Sequence, residues 1–174
     1  MNSLAQGLKF SGRPGKAVAL DRRSISLYES AHEAGYVAIT LCNLANTLRL
    51  TGMLRESEAA SRRALSICRD LGDRFQEGVS AKWLGITLAA RGESADSRLA
   101  LDRSWQEGDD QGQGLANAYL AELSLWLGDP AAAQSFAGRA WDLAKVQRHE
   151  RELIRAARLQ GEAAAALADH PLAD

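Results

Sequence analysis

The residues of this 174-residue chain that could make or break bonds are few, and their spacing matches no catalytic pattern. Three histidines, His32, His149 and His170, stand near the ends of helical patterns. A lone imidazole there is a solvated or dipole-pairing group rather than a base or metal ligand. Cys42 and Cys68 fall inside apolar helical patterns, where cysteine acts as a small buried hydrophobe, and two cysteines make no disulfide framework. The run from Gly108 to Gly114, with Asp109 and Asp110, lacks the alternating acidic ligands and distal glutamate of a calcium loop and reads as a turn between repeats. No HExxH, paired CxxC, phosphate loop or GxSxG is present. With no nucleophile, base or metal set to name, the expectation is a protein without catalysis, metal or cofactor.

What remains is the chemistry of recognition. Asn43, Asn46, Arg49, Lys82, Trp83, Ile86, Tyr119, Glu122, Arg155 and Arg158 offer amides, cations, an acid and apolar or aromatic surface. Such groups hold a partner by hydrogen bonds, ion pairs and stacking. Whether they share one face depends on the elements that carry them, and those elements recur. Leu44-Ala45-Asn46-Thr47-Leu48-Arg49-Leu50-Thr51-Gly52 is echoed by Leu84-Gly85-Ile86-Thr87-Leu88-Ala89-Ala90-Arg91-Gly92. Taking Gly12, Gly52, Gly92 and Gly128 as equivalent gives spacings of 40, 40 and 36 residues, and a further 40 reaches Ala168.

The register holds at other offsets. Seven residues before each anchor stand Ala5, Ala45, Gly85, Ala121 and Gly161; five after it stand Ala17, Ser57, Ser97 and Ala133; twelve after it, Ser24, Ala64, Ser104 and Ala140. All are small. Antiparallel helices approach to about 8–10 Å only where small side chains meet, with large neighbours filling the grooves beside the crossing. Each unit is therefore a helical hairpin that buries its apolar face against the next. The large-small pair and turn glycine of the first helix, and the small residues spaced along the second, resemble the tetratricopeptide repeat (TPR), in the roughly 40-residue variety of large bacterial regulators. The resemblance covers nearly the whole chain. It departs in two places: the aromatic four residues before the turn is Leu8, Leu48, Leu88, Ser124 or Ala164, and the proline closing the second helix is missing.

The resemblance implies an all-α fold, a right-handed superhelical solenoid of antiparallel helix hairpins with about nine helices. The expected division is a partial repeat over 1–35, repeats over 36–73, 74–110 and 111–147, and a partial repeat over 148–174, a single array cut from a longer protein. Pro14 opens a helix running to about Ala34-Gly35. Gly72 closes another, and Asp73 is placed to cap the next helix. Ser94 stands as an N-cap, and Asp129-Pro130 is the clearest helix start.

First helices line the inner side of such a stack, and the 3–4 spacing rule puts offsets ten, six and three before each anchor on one stripe. That stripe carries Lys82 and Arg158, Asn46, Ile86 and Glu122, and Arg49, flanked by Asn43, Trp83 and Tyr119 at nine before and Arg155 at thirteen before. Similarity to TPR domains that hold a terminal carboxylate implies a partial clamp of Asn43, Asn46 and Lys82, lacking further basic groups where Ala118 and Glu122 stand. The expected partner is a protein or peptide on the concave face. The alternative is self-association, a homodimer through the apolar terminal helices. A formal charge of −1, from 21 basic and 22 acidic residues, supplies no basic excess for nucleic acid or a membrane surface. The absence of a signal pattern and of any apolar run near ~18 residues leaves the cytoplasm as the expected location.

Overall fold

A computed structural model describes residues 2–107 and 110–169. Among these the chain forms helices only: α1 (Asn2–Phe10), α2 (Pro14–Ser30), α3 (Ala34–Leu50), α4 (Leu54–Leu71), α5 (Arg74–Ala90), α6 (Ser94–Glu107), α7 (Asp110–Trp126), α8 (Pro130–Val146) and α9 (Glu150–Asp169). His170, Gly108 and Asp109 lie outside the described residues.

The anchor glycines work as the register requires. Gly12, Gly52, Gly92 and Gly128 take φ of 76°, 78°, 81° and 74°, the left-handed region that favours glycine. The following N–H then reaches back five residues: Met53 to the Leu48 carbonyl, Glu93 to Leu88 and Asp129 to Ser124, each at 2.9 Å. That closes the odd helix and starts the even one in a single turn. Asp129 accepts a hydrogen bond from the Ala132 N–H and Asp73 one from the Gln76 N–H, both at 2.9 Å, as N-caps do.

Two expected boundaries are corrected. The second helix ends at Ser30 rather than near Gly35, because the left-handed position between hairpins is His32, at φ 58°, and Gly35 already belongs to α3. Ser94 is the first residue of α6 rather than its cap. The Glu93 carbonyl accepts from the Ser97 N–H at 2.9 Å, so the cap position follows the turn glycine directly, as it does at Met53 and Asp129.

At the crossings, Ala17, Ala45, Ser57, Ser97, Ala121 and Ala133 are all sealed from solvent. The Ser57 hydroxyl donates to the Ala45 carbonyl and the Ser97 hydroxyl to the Gly85 carbonyl, each at 2.8 Å, so the small residue also ties the two helices together. At Gly85 a Cβ would stand 2.7 Å from Leu101 Cγ, so glycine is what lets α5 and α6 approach there.

Each odd helix packs closely against the next odd helix, whereas among the described residues the even helices stand further apart and meet through long side chains, as in the Arg22–Glu56 and Arg63–Glu29 ion pairs between α2 and α4. Closer spacing on one side than the other is the geometry of a curved stack, with α1, α3, α5, α7 and α9 on its inner side. Trp83 packs against both the N-terminal core around Leu41 and Leu48 and the C-terminal core around Leu120 and Leu123, and so joins them. One core position departs from its equivalents. Asp21 on α2 is 1% exposed where the next repeats place Ser61, Leu101 and Ala137.

Candidate functional site: the inner face between α3, α5 and α7

The odd helices bring four of the expected residues around one recess. Arg49 from α3, Ile86 from α5, and Tyr119 and Glu122 from α7 line a cavity of about 140 Å³. Ala89, Leu123 and Trp126 complete its apolar wall. Pockets for small molecules and cofactors run from roughly 300 Å³ upwards, so a recess of this size suits one inserted side chain. Ile86 is 5% exposed and serves the core as much as the recess.

The electrostatics on the two sides of the recess differ. On the α7 side the charges are already spent on one another. Glu122 accepts from Arg155 at 2.8 Å and faces Arg158 at 3.6 Å, Arg158 pairs with Glu162 at 2.6 Å, and the Arg155 guanidinium lies 3.8 Å from the centre of the Tyr119 ring. On the α3 side, Arg49 donates to the Asn46 carboxamide oxygen at 3.2 Å, while its Nε is buried without a partner. The recess therefore has an aromatic, charge-balanced wall facing a guanidinium that pairs with no carboxylate among the described residues.

The three residues of the expected carboxylate clamp each make a contact within the chain. Asn43 accepts from Gln6 of α1 at 2.7 Å, Asn46 from Arg49, and the Lys82 ammonium lies 5.0 Å from the Trp83 ring centre. None of the three lines the recess. Trp83, half-buried, is largely a core residue. Trp126 is the residue that the spacing argument missed. It is 64% exposed, two residues before Gly128 and four after Glu122, so the stripe that gave Glu122 extends to it.

Other reactive groups do not assemble. Cys42 and Cys68 are buried free thiols around the Ser80 hydroxyl, at 3.2 and 3.6 Å, and burial pushes the Cys42 thiol up to about 11. His32 sits in the α2–α3 turn and His149 at the start of α9, and among the described residues no group of three or more His, Cys, Asp or Glu could hold a metal ion. No described helix is long and apolar enough to cross a membrane.

Neither protein-family models nor curated proteins match the sequence. Two solved structures of a Podosopora anserina protein with nearly identical TPR-like repeats, described as a putative kinesin light chain, match the fold. A form carrying one substitution superposes with a TM-score of 0.70 at 15% identity, covering 97% of this chain and 90% of that one. The other superposes with a TM-score of 0.69 at 14% identity, covering 98% and 94%. Such low identity with near-complete coverage speaks to architecture. The fold of this chain is a tetratricopeptide-type helical repeat, an all-α solenoid.

Proposed function

We propose that the chain is a non-catalytic scaffold that binds a protein or peptide segment along its concave face, as one part of a larger bacterial regulatory protein. The observation that carries this reading is the recess between α3, α5 and α7. An extended chain lying across the odd helices would place one apolar side chain between Tyr119, Trp126 and Leu123. Aromatic and arginine side chains around a recess that a partner would seal from water are the features that concentrate binding energy at interfaces. In a bait experiment with this chain, Trp126→Ala and Arg49→Gln weaken the captured partner's affinity by tenfold or more while helicity and melting temperature stay near the parent values. Unchanged affinity in both variants refutes the assignment.

The second reading is self-association through the end faces. It rests on Leu4, which is 60% exposed although its equivalents Leu44, Leu84 and Leu120 are buried at 6%, 5% and 1%. An exposed residue at a core position of the repeat marks a face that another helix would cover. Sedimentation velocity over a hundredfold concentration range decides it: concentration-dependent dimer that Leu4→Gln abolishes supports this reading, and a strict monomer excludes it.

A further inference from the structure

The backbones of α4 and α6 stay apart, and on the outer side the two helices leave a cleft between them above α5. Its volume is about 470 Å³. The floor is a small apolar core of its own, built from Leu65, Leu84, Leu88 and Ala100 with Ala81. The rims are cationic: Arg62 and Arg69, seven residues apart on α4, stand on one side and Arg103 of α6 on the other, against a single lining carboxylate, Asp96.

Charge pairing within the chain balances these cations but leaves hydrogen-bond donors on them. Arg69 and Arg103 share the one carboxylate of Glu77, which is 7% exposed; Arg69 Nε donates to it at 2.9 Å and Arg103 pairs with it as well. Burial alone would push the Glu77 carboxyl up, but the two guanidiniums reverse this and hold it below its ordinary range, so it stays ionised. With Asp96 and Glu58 counted the charges around the cleft come out even, but Glu77 and Glu58 are largely buried, with side chains 9% and 16% exposed, so the guanidiniums face solvent more than these two carboxylates do. Each guanidinium has five donors in a fixed fork, and with 48% and 43% of the two side chains exposed, donors remain for a second anion. At the other end, Arg62 pairs with Glu58, which Arg91 also contacts. Leu99 of α6, 69% exposed, extends the apolar floor to the rim.

From this juxtaposition of an apolar floor with arginine rims we infer that the α4–α6 cleft is a second docking site, for an acidic segment of a protein partner whose carboxylates meet Arg62, Arg69 and Arg103 while an apolar side chain between them rests on the floor. A peptide fits better than a small inorganic anion because the floor is apolar and an ion alone would leave it uncovered. The concave recess and this cleft lie on opposite faces of α5, so both can be occupied at once.

The test is selection of a phage-displayed random dodecapeptide library on the full chain at low salt, followed by titration of the synthesised winners. Arg69 and Arg103 are kept, since removing them would strand buried Glu77. The variants are Arg62→Glu and Leu99→Asp, both at exposed positions, with circular dichroism to verify folding. The expected result is enrichment of sequences with two or more acidic residues flanking an apolar one. They should lose at least tenfold in affinity for each cleft variant, weaken as salt rises, and be indifferent to Trp126→Ala. Absence of any enriched peptide, enrichment without acidic residues, or affinities unchanged in both cleft variants overturns the inference. Peptides that lose affinity only for Trp126→Ala report on the concave recess and equally exclude the cleft.

Discussion

Asp21 should be a liability that one atom's exchange removes. It is 1% exposed, its Oδ1 has no hydrogen-bond partner, and burial pushes its carboxyl up to about 6 from an ordinary 3.8, with Lys9 and Thr47 offsetting only part of the effect. A carboxyl harder to ionise when folded favours folding while it is protonated and opposes it once it must ionise. The stability it supports is therefore complete below about pH 4 and is lost as pH rises through about 6. Each pKa unit corresponds to 1.36 kcal/mol, so the loss approaches about 3 kcal/mol at pH 7, a large share of the roughly 5–15 kcal/mol that holds an ordinary domain. Asp21→Asn keeps the shape and removes the titration. Urea denaturation followed by circular dichroism and tryptophan fluorescence should find the variant more stable than the parent by about 1 to 3 kcal/mol at pH 7.5, with the advantage shrinking towards zero near pH 4. An asparagine variant that is no more stable at pH 7.5, or an advantage that does not change with pH, refutes the reasoning.

The same substitution at one repeat offset should have opposite signs at two places. Gly85→Ala drives a Cβ into Leu101 and should destabilise by about 1 to 2 kcal/mol, whereas Gly161→Ala, with nothing within 4 Å, should stabilise by up to about 1 kcal/mol through helix propensity. Thermal melts of the pair check this. His32→Gly and Arg148→Gly relieve left-handed backbone at φ 58° and 54° and should each raise the melting temperature by about 2 to 4 °C, while loss of stability would mean that these side chains make contacts worth more than the strain. Cys42 and Cys68, at 2% and 1% exposure, should resist a thiol reagent such as DTNB under native conditions and react fully in denaturant; rapid native labelling would contradict their burial.

Most of the fold is legible in the sequence because backbone needs recur at fixed offsets. A turn that demands left-handed backbone calls for glycine, and a helix crossing calls for a small residue, so Gly52, Ala45 and Ser57 announce their roles by type. The register becomes silent where another residue accepts the same backbone. His32 does so between α2 and α3, and Gly35, three residues later, draws the boundary the wrong way. The site is less legible, for a different reason. Spacing gives the side of a helix but not the partner a side chain takes. Arg155 and Arg158 share the inner face, yet Glu122 and Glu162 absorb them; Asn43 is taken by Gln6, which spacing within one helix cannot reveal. Trp126 was within reach of the spacing rule, lying one helical turn beyond Glu122. The α4–α6 cleft was not, because its arginines come from two helices whose separation only the packed structure supplies.

The central claim is that partners bind on the concave side. A photo-crosslinking amino acid placed at Trp126 on the inner face and, in a parallel sample, at Leu27 on α2 tests it most directly, since both positions are exposed, at 64% and 46%. Covalent capture of one discrete protein from Trp126, competed away by excess unlabelled chain and absent from Leu27, is the predicted result. Equal capture from both positions, or none from Trp126 while a partner still binds, would contradict the account.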